Sequence, residues 1–329
     1  MRLATRLVGR RVLSALPVMA VVVLLTFFLL EHASGDAVDA YLVSLGGADA
    51  DLKDSLRVQY GLDQSALARL WLYLSSLLRL DLGWSLAFDR PVSALILERL
   101  PNTLLLMGSA TLLSFGLGAG LGFIAGLRPG GLVDRLLSVV SLALNAMPGF
   151  WLSLVLVLAF SVKLRWFPSS GLETIASDKQ GLSRAVDIAR HMTLPVISLG
   201  LIYLALFLRV MRSAMAQIWP LDFVTFATSK GLSSARIALR HVARNAALPL
   251  LTVLGLQAAR MLGGSVVIES VFAIPGFGRL AQEAVSGRDA PLLMGIILVS
   301  AIFVIAVNLV VDLLYAILDP RIGAQEGRS

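Results

Sequence analysis

Among its 329 residues the chain has no cysteine, and only 15% are charged. Without cysteine there is no disulfide scaffold, no thiolate metal site and no cysteine nucleophile. Soluble domains carry about 25% charged residues. The low value here, with 57% hydrophobic residues and a mean hydropathy of +0.83, excludes an ordinary soluble domain. The three histidines, His32, His191 and His241, never pair at helical i+3 or i+4 spacing, so no metal site is expected. A G-x-x-x-x-G-K-[ST] phosphate loop is missing; Ser229-Lys230-Gly231 has some of its letters without the preceding glycine. No G-x-S-x-G elbow offers a hydrolase serine. The net charge of +7 would suggest nucleic acid in a soluble protein. Here the arginines punctuate long apolar runs, so a lipid bilayer is the expected partner and nucleic acid is not.

Six runs approach the about 20 residues that cross a hydrocarbon core: 12–30, 103–127, 136–162, 192–208, 249–268 and 292–311. The first competes with a secretory signal, but its uncharged stretch exceeds the about 7–15 residues of a signal core and no clean small-x-small cleavage site follows Leu30. It reads as an uncleaved span. Orientation follows the basic residues. Arg2, Arg6, Arg10 and Arg11 precede span one, Arg128 and Arg135 follow span two, and Arg209, Arg212, Lys230, Arg236, Arg240 and Arg244 follow span four. Residues 31–99 hold ten acids and six bases and belong outside. Loop 163–191 is mildly basic although this arrangement places it outside. Both termini are expected inside.

Within the outer segment, Leu52, Leu56 and Tyr60, then Leu67, Leu70, Trp71, Leu74, Leu77 and Leu78, recur at helical spacing, broken at Gly61-Leu62-Asp63. A small helical cap is expected, either a packing lid or a docking surface for a soluble partner. Span two carries Gly118, Gly122 and Gly126 on one helix face, which predicts close approach of another helix. Segment 214–248 is basic and too polar to cross. It reads as a helix from Met215 to Lys230, a break at Gly231, and a second helix from Ser233 to Asn245 opened by a serine N-cap. Such a pair would form a rigid inner protrusion that receives force from another protein. The competing reading is an interfacial helix whose arginines reach anionic lipid.

One charge lies near the middle of a span. Arg260, with Gln257 at i−3 and Gly264 at i+4, shares its face with polar and small residues. An intramembrane arginine costs about 2.5–3.5 kcal/mol on insertion scales and faces a bundle interior or a water path. Two readings stand: Arg260 and Gln257 line a translocation path and meet an anionic substrate group, or Arg260 pairs with an acid such as Glu269 or Asp312, or with backbone carbonyls. After span five, Pro275-Gly276-Phe277-Gly278 forms a rigid outer turn, either a gate or binding-protein contact or simply a tight connection.

Several stretches together resemble a known family. These are Phe223-x-x-x-Ala227-x-x-Lys230-Gly231-Leu232, Leu239-Arg240-His241-x-x-Arg244-Asn245-Ala246-x-Leu248-Pro249, and Glu269-x-Val271-Phe272-x-x-Pro275-Gly276-Phe277-Gly278-Arg279-Leu280 with Arg288-Asp289. Asn308 to Ile322, including Asp319-Pro320-Arg321-Ile322, completes the C-terminal half. Leu16-Pro17, Gly35-Asp36, Tyr60-Gly61-Leu62-Asp63, Asp81-Leu82-Gly83 and Leu100-Pro101-x-Thr103-Leu104 extend the match through the N-terminal half. This order and spacing resemble the permease subunits of ABC importers, closest to the oligopeptide/dipeptide/nickel group.

The resemblance implies an all-α, six-span, N-in/C-in membrane protein of the type I importer permease fold with a small external helical segment. Its expected parts are 1–30, an external segment 31–100 and a core 101–329 that contains the coupling loop 214–248. Thr225, Phe226, Ala227, Ser229, Lys230, Gly231 and Leu232 would contact a cytoplasmic ATPase. The implied partners are a second homologous permease, two ATP-binding subunits and an extracytoplasmic substrate-binding protein. The chain itself would bind no cofactor and catalyse nothing; ATP and magnesium belong to the ATPase subunits. Short peptides are the implied cargo, with nickel chelates among related solutes. Two departures stand out: Thr225 and Thr228 are neutral where relatives are arginine-rich, and Ser34 replaces the proline of a Pro-Gly-Asp turn. The alternative from another class is an ion-coupled secondary transporter. Such proteins often show repeated halves and central intramembrane acids, and neither is evident here.

Overall fold

A computed structural model describes residues 2–32, 38–39, 42, 50–59, 63–175 and 179–318. Ser34-Gly35-Asp36, the Tyr60-Gly61-Leu62 part of the outer break, and Asp319-Pro320-Arg321-Ile322 lie outside the described residues. The described chain is helical apart from one short hairpin. In order it runs α1 (Arg2–Glu31), α2 (Ala50–Gln59), α3 (Ala66–Leu78), β1 (Trp84–Ser85), β2 (Arg90–Pro91), α4 (Val92–Leu127) and α5 (Leu132–Ala146). It continues through α6 (Gly149–Leu156), α7 (Leu182–Ile218), α8 (Asp222–Ser229), α9 (Ser234–Ile237), α10 (Ala243–Val271), α11 (Phe277–Ser286) and α12 (Ala290–Leu318). π-helical turns, Val157–Lys163 and Ala238–Val242, prolong α6 and join α9 to α10.

Among the described residues four helices are long and apolar enough to cross a membrane, or up to six if each of two bent pairs is one span. The expected third span, 136–162, is one of those pairs. Leu132–Ala146 and Gly149–Lys163 meet at 104°, because Pro148 takes an extended conformation and caps α6 instead of continuing α5. The other pair, Ser234–Gln257 and Ala259–Val271, bends by 53°.

Two helices extend well beyond the apolar runs. α4 begins at Val92, eleven residues before the expected Thr103, and carries Pro101 inside it. α7 spans 37 residues, about 55 Å at 1.5 Å per residue, so it overshoots a hydrocarbon core of about 30 Å at its ends. Its first turns hold Asp187 and Arg190, which hydropathy alone assigned to a loop.

The expected helix from Met215 to Lys230 is divided. Met215 to Ile218 belong to α7, and the chain turns at Trp219-Pro220-Leu221 before α8. Ser233 has the extended backbone of an N-cap, but its side chain makes no capping hydrogen bond. The second inner helix does not end at Asn245; it runs through the π turn into α10.

By compactness the chain forms two units. One comprises Met1–Thr103 and Pro275–Ile305; the other comprises Leu104–Ile274 and Ala306–Ser329. Polar ties explain why residues 275–305 join the N-terminal part. In the first unit β1 and β2 pair antiparallel, Trp84 opposite Pro91 and Ser85 opposite Arg90. The Asp289 carboxylate, 1% exposed, accepts from Ser85 Oγ at 2.6 Å, Ala87 N at 3.2 Å and Leu292 N at 3.1 Å. It thereby caps α12 and holds the hairpin.

In the second unit the glycine face of α4 lies on α7. A Cβ at Gly118 would meet Phe207 Cβ at 2.7 Å, one at Gly122 would meet the Leu208 carbonyl oxygen at 2.5 Å, and one at Gly126 would meet Met215 Cβ at 2.8 Å. Three successive turns of α7 fit against three glycines, the close helix approach that the spacing predicted. Asp134 on α5 accepts from both Arg212 and Gly130 N, at 2.9 Å from Arg212 Nη2 and 2.8 Å from the amide. That pair fixes α5 on the inner part of α7.

Candidate functional site

The segment between α7 and α10 is a built protrusion rather than a loose connector. Trp219 Nε1 donates to the Gly126 carbonyl at 2.8 Å, anchoring the end of α7 to the end of α4. Beyond the turn, α8 puts Val224 and Ala227 into a core with Met211, Ala214, Met215, Ile237, Val242, Ala246 and Leu250. This core is continuous with the membrane helices α7 and α10, so a push on α8 bears directly on two of them.

The end of α8 is fixed by backbone geometry. Gly231 N donates to the Thr228 carbonyl at 2.9 Å and Leu232 N to the Ala227 carbonyl at 3.4 Å. With Gly231 at φ +74°, these are the two bonds of a Schellman motif. Leu232 packs on the core beside the helix it ends. The expected contact set therefore splits. Thr225, Phe226, Ser229 and Lys230 are exposed; Ala227 is buried and Leu232 partly buried; Gly231 makes the turn. Ala227 shapes the protrusion from inside and is not on its surface. Phe223, also exposed, joins the presented set. It was legible as the apolar position four residues before Ala227.

Phe226 is 62% exposed, and Lys230 Nζ sits 4.5 Å from its ring centroid. A cation on one aromatic face holds the ring upright at little cost. The loop thus offers two exposed phenylalanines and a lysine on a braced helix, an apolar knob suited to a partner groove.

Arg260 lies on α10, in the second unit. It is exposed on the isolated chain, and no ion pair joins it to another described residue. Leu256 and Val267 share its exposed face, with Gly263 between them. Tyr203 of α7 lies beside this face: its hydroxyl is 2.9 Å from where a Cβ on Gly264 would be. Gln257 is buried, 7% exposed, and does not share the open face. Glu269 is fully buried.

The outer turn belongs to the first unit and is locked from α4. Asn102 Nδ2 donates to the Pro275 carbonyl at 2.7 Å, and Phe277 N donates to Thr103 Oγ1 at 2.8 Å. Gly276, Phe277 and Gly278 are buried and Pro275 partly buried. Outside the spans, Glu173 receives Arg184 Nε at 2.7 Å and Nη2 at 3.2 Å. The hydrogen bond from that guanidinium holds the Glu173 carboxyl below its ordinary value.

The helices match those of a membrane permease of the ABC transporter class, with the type I permease fold. A structure of the MetNI methionine ABC transporter in an inward-facing conformation superposes with a TM-score of 0.56 over 69% of this chain and 97% of that one, at 16% identity. The family model described as binding-protein-dependent transport system inner membrane component matches residues 118–324. The chain belongs to that family. It is 38% identical to the di/tripeptide transport system permease protein DppB of Pseudomonas aeruginosa, covering 97% of this chain and 98% of that one. It is 34% identical to the oligopeptide transport system permease protein AppB of Bacillus subtilis, covering 95% and 98%. It is therefore a multi-pass membrane component of that family.

Proposed function

We propose that this chain is one of two permease subunits of an ATP-driven importer for short peptides. The observation that carries the coupling role is the α8 protrusion: exposed Phe223, Phe226 and Lys230 stand on a helix whose opposite face is packed into the core of α7 and α10. A groove on a cytoplasmic ATPase subunit would take this knob, and closure of two such subunits on ATP and magnesium would move the two membrane helices together. The chain needs no cofactor for this. A soluble extracytoplasmic binding protein would deliver cargo, and a second homologous permease would complete the path with six spans from each chain, both termini inside. Cargo class is supported by the names of the full-length relatives, which transport oligopeptides and di- or tripeptides.

Arg260 lines the path in this reading. An exposed guanidinium at mid-span, with no ion pair among the described residues, is costly against lipid, so its face meets water, substrate or the second permease. Its placement beside Tyr203 suits an anionic group such as a peptide carboxylate. The ion-coupled transporter reading gains no specific support: the energy-receiving protrusion has no use in it.

The test is co-expression of the tagged chain with its operon neighbours, purification in mild detergent, and reconstitution. The expected result is recovery of a Walker-motif ATPase, ATP-dependent peptide uptake, and loss of both when 223–232 is replaced by a glycine-serine linker. A folded chain recovered alone, driving uptake from an ion gradient without ATP, would overturn the proposal.

A further inference from the structure

Helix α3 leaves a large part of its apolar surface open while its one charge is drawn towards the protein. Leu67, Trp71 and Leu78 are 74%, 72% and 89% exposed; they lie within about 40° of one another on the helix at 100° per residue. The opposite side holds the polar groups Arg69, Tyr73 and Ser76, which are partly buried together with Leu70, Leu74 and Leu77. No residue of α3 is fully buried. A helix lying on a soluble domain in water does the reverse, turning its apolar stripe to the protein and its charge to solvent. Exposed apolar area of this size marks a contact with another protein or with lipid.

The partner of the polar side decides which. Arg69 Nη2 is ion-paired with Glu31 Oε1, within the first unit. Glu31 ends the apolar stretch Leu13–Glu31 of α1, a membrane span by length and composition. The pair therefore tethers the first turn of α3 to the mouth of a span, at the boundary between hydrocarbon and water. Leucine and tryptophan on the open face are the residues that partition into that boundary. Ser75 satisfies its own hydroxyl by donating to the Leu72 carbonyl at 2.8 Å, so the flank of the open face needs no water. Arg69, the sole charge in Ala66–Leu78, is withdrawn to the protein side.

We infer that α3 is an interfacial helix that lies in the outer leaflet of the bilayer, with Leu67, Trp71 and Leu78 in the acyl–headgroup region and the Arg69–Glu31 pair fixing its height. Its occupant is lipid, not the soluble binding protein. The helix would brace the outer end of α1 sideways against the membrane and leave the rest of the external segment free for protein contacts.

The absence of cysteine makes the test direct. Nitroxide labels at Leu67→Cys, Leu78→Cys and, as a water-exposed reference, Asp63→Cys are placed in the full chain in phospholipid nanodiscs. Their collision rates with oxygen and with a water-soluble nickel chelate are then compared. The expected result is an oxygen-to-nickel ratio several-fold higher at 67 and 78 than at 63, in lipid alone. Equal ratios at all three positions would overturn the proposal. So would shielding at 67 and 78 that arises only on adding the binding protein. A second measurement needs no label: quenching by lipids brominated near the headgroup should be stronger in the natural chain than in Trp71→Phe. Identical quenching would reject the lipid contact even if a cysteine variant failed to fold.

Discussion

The Leu208 carbonyl oxygen on α7 lies so close to Gly122 on α4 that a Cβ there would be 2.5 Å from it, with Met211 Cβ at 2.7 Å. Neither obstacle is the free end of a flexible side chain, so the two helices would have to separate. Gly122→Ala is expected to cost about 1–3 kcal/mol, the usual range for overpacking. Gly120, two residues away on the other side, has nothing within 4 Å of its virtual Cβ, and alanine is the better helix former by about 1 kcal/mol. Thermal unfolding in detergent should therefore show a lower midpoint for Gly122→Ala and an unchanged or higher one for Gly120→Ala. Equal midpoints would show that α4 and α7 are not in contact at this level.

Membrane spans, the glycine face and the inner protrusion were legible in the sequence because each rests on a local pattern: an uncharged run, an i+4 glycine spacing, a polar break between apolar segments. What hydropathy could not see is where a helix continues past its apolar part. The first turns of α7 carry Arg184, Asp187, Arg190 and His191, and these are partnered there: Asp187 accepts from Thr174 N at 2.7 Å and from Thr174 Oγ1 at 2.9 Å. Charge pairing lets a helix project into water, and no window average reports it. The 104° break in the third span had a visible signal in Pro148-Gly149, outweighed by the uncharged run around it. The tie between Ser85 and Asp289 joins positions 204 apart, and no local pattern encodes it. Arg260 was legible as an anomaly, but only the structure separates it from Gln257, which is buried.

Phe226 and Ala227 are neighbours with opposite roles, and variants should separate them. Phe226→Ala removes an exposed ring, so the chain should fold normally yet lose association with the ATPase by tenfold or more, about 1.4 kcal/mol. Ala227→Phe forces a large group into a filled core and should lower the yield of folded chain before any question of coupling arises. Gly231→Ala tests the turn: a left-handed conformation costs an L-residue about 1–2 kcal/mol, and no atom lies within 4 Å to add a clash. Co-purification of the ATPase and the unfolding midpoint are the two readouts. A Phe226→Ala chain that captures the ATPase normally would remove that ring from the contact.

Asp289 satisfies three donors from a buried position, so its loss leaves them stranded. Asp289→Ala should destabilise by about 2–3 kcal/mol, combining a lost N-cap with unsatisfied buried donors. Asp289→Asn keeps one carbonyl oxygen and should fall between. Protease sensitivity of residues 84–91 is the local readout, since Ser85 and Ala87 lose their anchor. An Asp289→Ala chain with an intact hairpin would mean that β1 and β2 hold without it.

Glu173 and Arg184 give a small pH response. The folded carboxyl is held below its ordinary value of 4.5, chiefly by the hydrogen bond from Arg184. Its contribution is thus complete above that value and fades as pH falls through the depressed one. The pair is exposed, so the effect is modest and salt-sensitive. The unfolding midpoints of the natural chain and Glu173→Gln should differ at pH 7 and converge as pH falls through the depressed value. A difference that persists in acid would assign it to something other than this charge.

Arg260 offers the sharpest separation between a path residue and a structural one. It has no ion-pair partner among the described residues, so removing its charge strands nothing, and Arg260→Gln should assemble and unfold like the natural chain. A structural arginine would behave otherwise: breaking a buried pair costs about 3–5 kcal/mol. If the guanidinium meets a substrate carboxylate, uptake of a free peptide should fall about tenfold in Arg260→Gln, equivalent to one lost charge-assisted contact of about 1.4 kcal/mol. Uptake of the same peptide with an amidated C-terminus should change little, and Arg260→Lys should restore part of the loss because the charge is kept while the planar fork is not. Measuring the two peptides side by side in proteoliposomes keeps assembly and ATPase rate as internal controls. Equal uptake of the free peptide by natural and Gln chains would remove Arg260 from the path.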